Sequence, residues 1–126
     1  MDLPTQTHLT KLRDLLNYRR HELETEVHAA ELARREGAGA DAHEVKDFKD
    51  EAAQMQRTQL DGAQEQRDRD ELAQVTSALR RLDSGTYGDC VDCREPIALQ
   101  RLLVQPAALR CAQCQTDQEH RQLQSR

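Results

Sequence analysis

Residues 72–93 read LAQVTSALRRLDSGTYGDCVDC, and two patterns meet in them. Leu72, Val75, Leu79 and Leu82 recur at three- and four-residue steps, which is the a/d seam of a helix that packs against another helix. Ser84-Gly85 then stops that helix, since glycine readily takes the left-handed conformation that ends one. Cys90-x-x-Cys93 follows, and a second pair, Cys111-x-x-Cys114, stands beyond a gap of 17 residues.

Tetrahedral zinc takes four thiolates, and a two-residue gap lets one tight turn present two sulfurs together. The doubled spacing is that of a four-cysteine zinc site. With all four positions filled by protein, none is left for water, so one structural zinc ion is predicted. The competing readings are two disulfides or a thioredoxin-type redox pair. A redox pair needs a βαβ setting that this sequence does not offer, and disulfides need an oxidising compartment. The opening MDLPTQTHLTK lacks a basic stretch followed by an apolar one, and no run reaches the roughly 18 apolar residues of a membrane span. A cytosolic protein, where thiols stay reduced, is therefore expected.

Working outward, Leu9, Leu12, Leu16, Leu23, Val27 and Ala30 form a helical stripe over Pro4–Glu36. Pro4 suits a first turn, and Gly37-Ala38-Gly39 is expected to end the helix. A second helix is predicted from near Asp41 to Asp83. Helices of roughly 33 and 40 residues would measure about 50 and 60 Å, and so short a turn between them implies an antiparallel hairpin. Composition agrees with a narrow seam rather than a broad core: aromatic residues are 2%, charged residues 33%, and the mean hydropathy is −0.92. A chain this polar needs a metal staple or a coiled coil to offset the entropy of ordering. The seam weakens toward the turn, where Ala52, Met55 and Gly62 are small or isolated. Helix propensity is expected to hold that half, with fraying. The fold predicted is mostly α: a long antiparallel two-helix coiled-coil hairpin over 1–85 with an acidic tip near 37–52, a four-cysteine zinc finger over 86–114, and a short C-terminal helix over 115–126.

The net charge of −5 is unevenly placed, with six acids against two lysines between Glu36 and Glu51. Phosphate-driven nucleic-acid binding needs a concentrated basic surface. Here Arg80, Arg81, Arg94, Arg101 and Arg110 alternate with Asp83, Asp89, Asp92 and Glu95, and no aromatic platform accompanies them. Sequence-specific DNA binding is not expected. Asp47 and Asp50 lie three apart, on one face of a helix start, where acids also favour the dipole. A solvated face is the plain reading of such a pair. Its place at the end of a stalk suggests instead a charged probe that enters a cavity. His8, His21, His28, His43 and His120 are scattered over polar positions, and no nucleophile–base pair or phosphate loop occurs, so an enzyme is not expected.

These features together resemble the DksA/TraR family of bacterial transcription factors. Tyr87-Gly88-Asp89-Cys90-Val91-Asp92-Cys93 is similar to the family's first knuckle. Ile97, Arg101-Leu102, Pro106 and Cys111-Ala112-Gln113-Cys114 fit the rest, while Asp47, Asp50 and Ala52 fall on its Asp-x-x-Asp-x-Ala tip. The resemblance implies a monomeric factor that binds bacterial RNA polymerase, inserts the coiled coil into the secondary channel, and uses Asp47, Asp50 and Ala52 to modulate initiation. It also implies polymerase or nucleotide contacts at Arg67 and Arg101. The departures are specific. Arg94 stands where glycine is usual after the second cysteine, which calls for a left-handed backbone there, and Val104 replaces an alanine. Gln74, Gln105 and Gln115 occupy places where relatives carry cations that help hold the alarmone ppGpp, which predicts a weak or absent ppGpp response. Two further classes fit the residues less closely: a nucleic-acid-binding zinc ribbon with a dimerising coiled coil, and a structural adaptor.

Overall fold

The computed structural model describes residues 3–40 and 48–124. Among them run four helices: α1 (Gln6–Ala40), α2 (Phe48–Ser84), α3 (Leu99–Val104) and α4 (Ala112–Gln124). An isolated antiparallel bridge joins Asp89 to Pro96. The start of α1 is capped reciprocally: Thr5 Oγ1 accepts the His8 N–H at 3.3 Å, and the Thr5 N–H donates to His8 Nδ1 at 3.0 Å. This is a capping box with histidine in the place usually held by Glu or Gln. Pro4 therefore stands before the cap rather than inside the first turn.

The other end of α1 departs from expectation, because the helix continues through Gly37 to Ala40. Gly37 keeps out of the left-handed region, and a glycine costs a helix only about 1 kcal/mol. The expected start of the second helix near Asp41 lies outside the described residues.

Packing divides the described chain into two compact units, each drawing on both long helices. One falls within Met1–Arg20 and Gln74–Arg126, the other within His21–Ala73. In the first, Leu12 and Leu16 of α1 are buried, as are Val75, Ala78 and Leu79 of α2. Of the predicted seam, Leu72 and Leu82 are half-buried, while Val75 and Leu79 are buried. Each such side chain contributes about 1.5–3 kcal/mol on burial. Arg13 and Asp83 close the surface of this unit with a 2.8 Å ion pair.

The second unit is held differently. Leu23 and Val27 of α1 are buried, whereas the buried residue from α2 is Asp68, which accepts a 3.0 Å hydrogen bond from Gln64 Nε2. Met55 and Leu60 are exposed. In place of apolar partners, Arg69 links Glu31 of α1 to Glu65 of α2, and Glu65 also receives Arg34 at 3.1 Å. Contacts that advance along α1 from 31 to 34 retreat along α2 from 69 to 65, so the helices are antiparallel. Helix propensity is thus supplemented here by an interhelical ion network, which the expectation of a fraying half did not include.

Within that network the hydrogen bond from Arg69, working against the smaller opposing effect of burial, holds the Glu31 carboxyl below its ordinary value. A carboxyl depressed in the folded state stabilises above its unfolded pKa, and the contribution is lost as pH falls through the folded value. Helix content at 222 nm should therefore drop as pH falls below the ordinary glutamate range, about 4. Glu31→Gln should flatten that part of the acid titration.

Candidate metal centre

Two glycines shape the approach to the first knuckle. Gly85, at φ +79°, ends α2, and the Thr86 N–H reaches back to the Arg81 carbonyl at 3.0 Å, the long bond of a Schellman motif. Gly88, at φ +87°, has Leu102 Cδ1 only 3.6 Å from where a Cβ would sit. Its carbonyl accepts the Ile97 N–H at 2.7 Å, and the Cys90 N–H donates to the Glu95 carbonyl at 2.9 Å. Residues 88–97 thus form a small closed loop. At its tip the Arg94 N–H bonds the Cys90 carbonyl at 3.0 Å, and Arg94 stands at φ +66°. The left-handed backbone inferred from the missing glycine is the one observed.

The second knuckle is built on a helix end. Cys111 immediately precedes α4 and Cys114 lies in its first turn, where its N–H points to Cys111 Sγ at 3.5 Å. The final helix therefore begins at Ala112, three residues earlier than Gln115, where it was expected. Helix-start N–H groups stabilise a thiolate, so the helix and the ligand pair reinforce each other.

Residues 105–110, which deliver the second knuckle, are irregular, but four of their carbonyls accept bonds from outside the segment. Tyr87 Oη donates to Pro106 at 2.8 Å, Arg81 Nη1 to Ala108 at 3.4 Å, the Val91 N–H to Leu109 at 3.0 Å, and Arg101 Nε to Arg110 at 2.9 Å. Irregular backbone must find such partners to be buried. Burial pushes the Tyr87 phenol up to about 12, against an opposing pull from Arg81, so it remains a donor at neutral pH. Beneath these bonds Leu12, Cys90, Ile97, Leu102 and Ala108 form one buried cluster, with Tyr87, Cys111 and Cys114 packed against it.

The four cysteine sulfurs lie within 4.8 Å of one another, and Cys93 and Cys111 are 3.9 Å apart. A tetrahedron with zinc–sulfur bonds near 2.3 Å has edges of about 3.8 Å. The electrostatics match the geometry. Burial raises the Cys90 thiol, but N–H donors from Cys93, Cys111 and Asp92 outweigh it and bring the group down to about 6. Cys114 is pushed up, first by the Cys111 side chain and then by Cys90. Cys93 is raised as well: a backbone donor at Glu95 lowers it, but the Cys90 side chain and burial prevail. Four thiolates so close cannot all ionise unless a cation is shared among them, and zinc supplies that charge. Cys90, Cys93, Cys111 and Cys114 are the side chains that would hold it, with no position left for substrate or water. Among the described residues they are the one cluster suited to a metal. His21 and His28 are exposed on α1 and take no part.

A helix pair joined to a closed four-thiolate zinc finger is thus the class of protein that the fold and the site define. Comparison with known proteins gives the family. The profile of the prokaryotic dksA/traR C4-type zinc finger matches residues 85–120. The RNA polymerase-binding transcription factor DksA of Caulobacter vibrioides is 36% identical over 69 residues, covering 52% of this chain and 49% of that protein. Its counterpart from Haemophilus influenzae is 32% identical over 75 residues, covering 60% of this chain and 52% of that protein. This chain thus spans about half the length of the curated relatives it matches. The structure of transcription factor DksA2 from Pseudomonas aeruginosa superposes with a TM-score of 0.74 at 30% identity, covering 93% of this chain and 87% of that one. The chain belongs to the DksA/TraR family.

The remaining expected site residues are placed unevenly. Asp47 and the side chain of Asp50 lie outside the described residues; the Asp50 backbone belongs to the first turn of α2, and Ala52 is exposed. Arg67 is exposed on α2 and bonds Gln64 at 2.9 Å. Arg101 spends its Nε on the Arg110 carbonyl, a structural use that its matching motif did not suggest. Gln74 and Gln105 are exposed, and Gln115 bonds Glu119 on α4. As supports of the site, α3, Tyr87 and Arg81 carry no signal in the sequence. The Leu99–Val104 run, six residues long, is too short for a periodic signal.

Two outcomes are expected. Arg94→Gly should stabilise the finger by about 1 kcal/mol, because the left-handed conformation is strained for a residue with a Cβ; thermal unfolding of the zinc-loaded protein measures it. Chelation of zinc should release the buried cluster around Leu12 and Ile97, read as proteolytic cleavage appearing within residues 86–114.

Proposed function

We propose that this protein is a cytoplasmic bacterial transcription regulator that binds RNA polymerase directly, as a monomer, and acts through contact rather than catalysis. The observation that carries this reading is the structural match to a DksA-type transcription factor over nearly the whole chain, together with a zinc-finger profile match at the module that defines the family. The relatives matched by sequence are named RNA polymerase-binding factors. In this reading the zinc is structural. The finger and the helix segments packed on it provide a rigid docking body, and the coiled coil enters the polymerase secondary channel. Asp47, Asp50 and Ala52 then act at the tip, near the polymerase active site, to modulate initiation. Carboxylates there would perturb a centre that works with divalent cations and phosphates, both of which respond strongly to nearby negative charge.

The acidic balance of the chain supports a protein partner over DNA. Arg67 and Arg101 are the candidate contacts to polymerase or nucleotide, with Arg101 restricted by its bond to Arg110. Gln74, Gln105 and Gln115 offer amides where charge-assisted bonds to a nucleotide's phosphates would need cations, so ppGpp should add little.

The test is a pull-down with core RNA polymerase, followed by crosslinking from position 50 to show whether the tip reaches the catalytic centre. Asp50→Asn should leave polymerase capture intact and abolish the effect on initiation at a ribosomal-type promoter. An Asp50→Asn protein as active as the unaltered one would overturn the tip mechanism. In the same assay ppGpp should change the regulator's effect by less than about twofold, since a single lost charge-assisted contact already costs about tenfold in affinity.

A further inference from the structure

The two zinc knuckles are joined by more than the metal. Asp92 lies between the first pair of cysteines, and Arg110 immediately precedes the second. Arg110 Nε donates to Asp92 Oδ2 at 2.7 Å. Both side chains are partly shielded, with 23% of Arg110 and 34% of Asp92 exposed. A second cation, Arg121 in the last turn of α4, approaches the same carboxylate oxygen at 4.0 Å. Arg110 is itself fixed from the other side, since its carbonyl accepts Arg101 Nε of α3 at 2.9 Å. One residue along the chain, the Val91 N–H bonds the Leu109 carbonyl at 3.0 Å. A carboxylate on one knuckle and a guanidinium on the other are therefore held in register by backbone bonds beside them.

We propose that Asp92 and Arg110, with Arg121 as an outer partner, are positioning residues for the zinc site, forming an ionic clasp that governs how slowly the metal is released. Separation of the two cysteine pairs opens a route for zinc loss, because each knuckle alone supplies only two of the four sulfurs. The clasp spans the line along which they part. Its side chains bond one another across the two knuckles, so its effect is on the approach of one pair to the other. The Asp92 backbone N–H, which donates to Cys90 Sγ, is kept in any side-chain variant. Removing the carboxylate thus isolates the clasp from that bond.

The experiment uses the full-length, zinc-loaded protein and measures transfer of zinc to a chromogenic chelator. Asp92→Asn and Arg110→Gln should each speed release by about three- to tenfold, the effect expected of a partly shielded charge-assisted bond. The double variant should release no faster than the quicker single one, because the two side chains act as a unit. Raising NaCl from low concentration to about 1 M should accelerate release from the unaltered protein, leave Asp92→Asn and the double variant unchanged, and leave Arg110→Gln with only the small response of the remaining Asp92–Arg121 pair, since salt screens only a clasp that exists. Asp92→Glu should recover most of the slow release. Release at the unaltered rate in both single variants, or effects that multiply in the double variant, or variants that keep the full salt response, would each overturn the proposal. Circular dichroism at 222 nm distinguishes general unfolding, which would lower helix content, from the clasp effect, which would not.

Discussion

Four thiol groups lie within 4.8 Å of one another, and that crowding is the constraint on which the finger and its surroundings depend. Without a shared cation the sulfurs compete for ionisation: Cys90 is drawn toward the thiolate while Cys93 and Cys114 are driven the other way. With zinc bound, the repulsion becomes a bond network that joins two segments separated by 17 residues. The apolar cluster around Leu12, Ile97 and Leu102 is too small to order so polar a segment unaided, since a few side chains at about 1.5–3 kcal/mol each face the entropy of some thirty residues. Metal and cluster stabilise each other: Cys90 belongs to both.

The same economy of apolar surface explains why the two compact units use different means. Where α1 and α2 can offer leucine, valine and alanine to each other, they bury them. Across His21–Ala73 the stretch QLDGAQEQRDRDE supplies α2 with almost no apolar side chain, and the helices are joined instead by Glu31, Arg34, Glu65 and Arg69. A helix that is polar all round needs such pairs, together with local bonds of the kind Gln66 makes to Asp70, to remain ordered. A surface held by charge is also one that responds to salt and acid, whereas the zinc-linked unit responds first to metal, with charge acting there only at pairs such as Asp92–Arg110.

Much of the architecture could be read from residue spacing because spacing is what helices and zinc knuckles are made of. Leu12, Leu16, Leu23 and Val27 sit at the interval of a buried stripe, Ser84-Gly85 carries the conformation that ends α2, and two Cys-x-x-Cys pairs state the metal site and its closure. Arg94 announced its left-handed backbone by standing where glycine is usual. The misses are of another kind. Gly37-Ala38-Gly39 reads as a helix end, yet a glycine breaks a helix only when the chain uses its freedom, and Gly37 does not. His8 gave no sign of its capping role because histidine is an unusual residue for that place in a capping box.

What the sequence by itself determined, then, is that two long helices form, where the second ends and which metal is bound, since helix periodicity and ligand spacing act between residues a few positions apart. Only the tertiary structure decided how residues 105–110 are held and what Arg81, Tyr87, Arg101, Asp92 and Arg110 do. Their partners lie 9 to 27 positions away, on elements with no periodic relation to them. A hydrogen bond of that kind depends on where a carbonyl or carboxylate comes to rest once the chain has closed on the metal. No residue pattern encodes that placement, so the contacts that brace the zinc site could be found only in three dimensions.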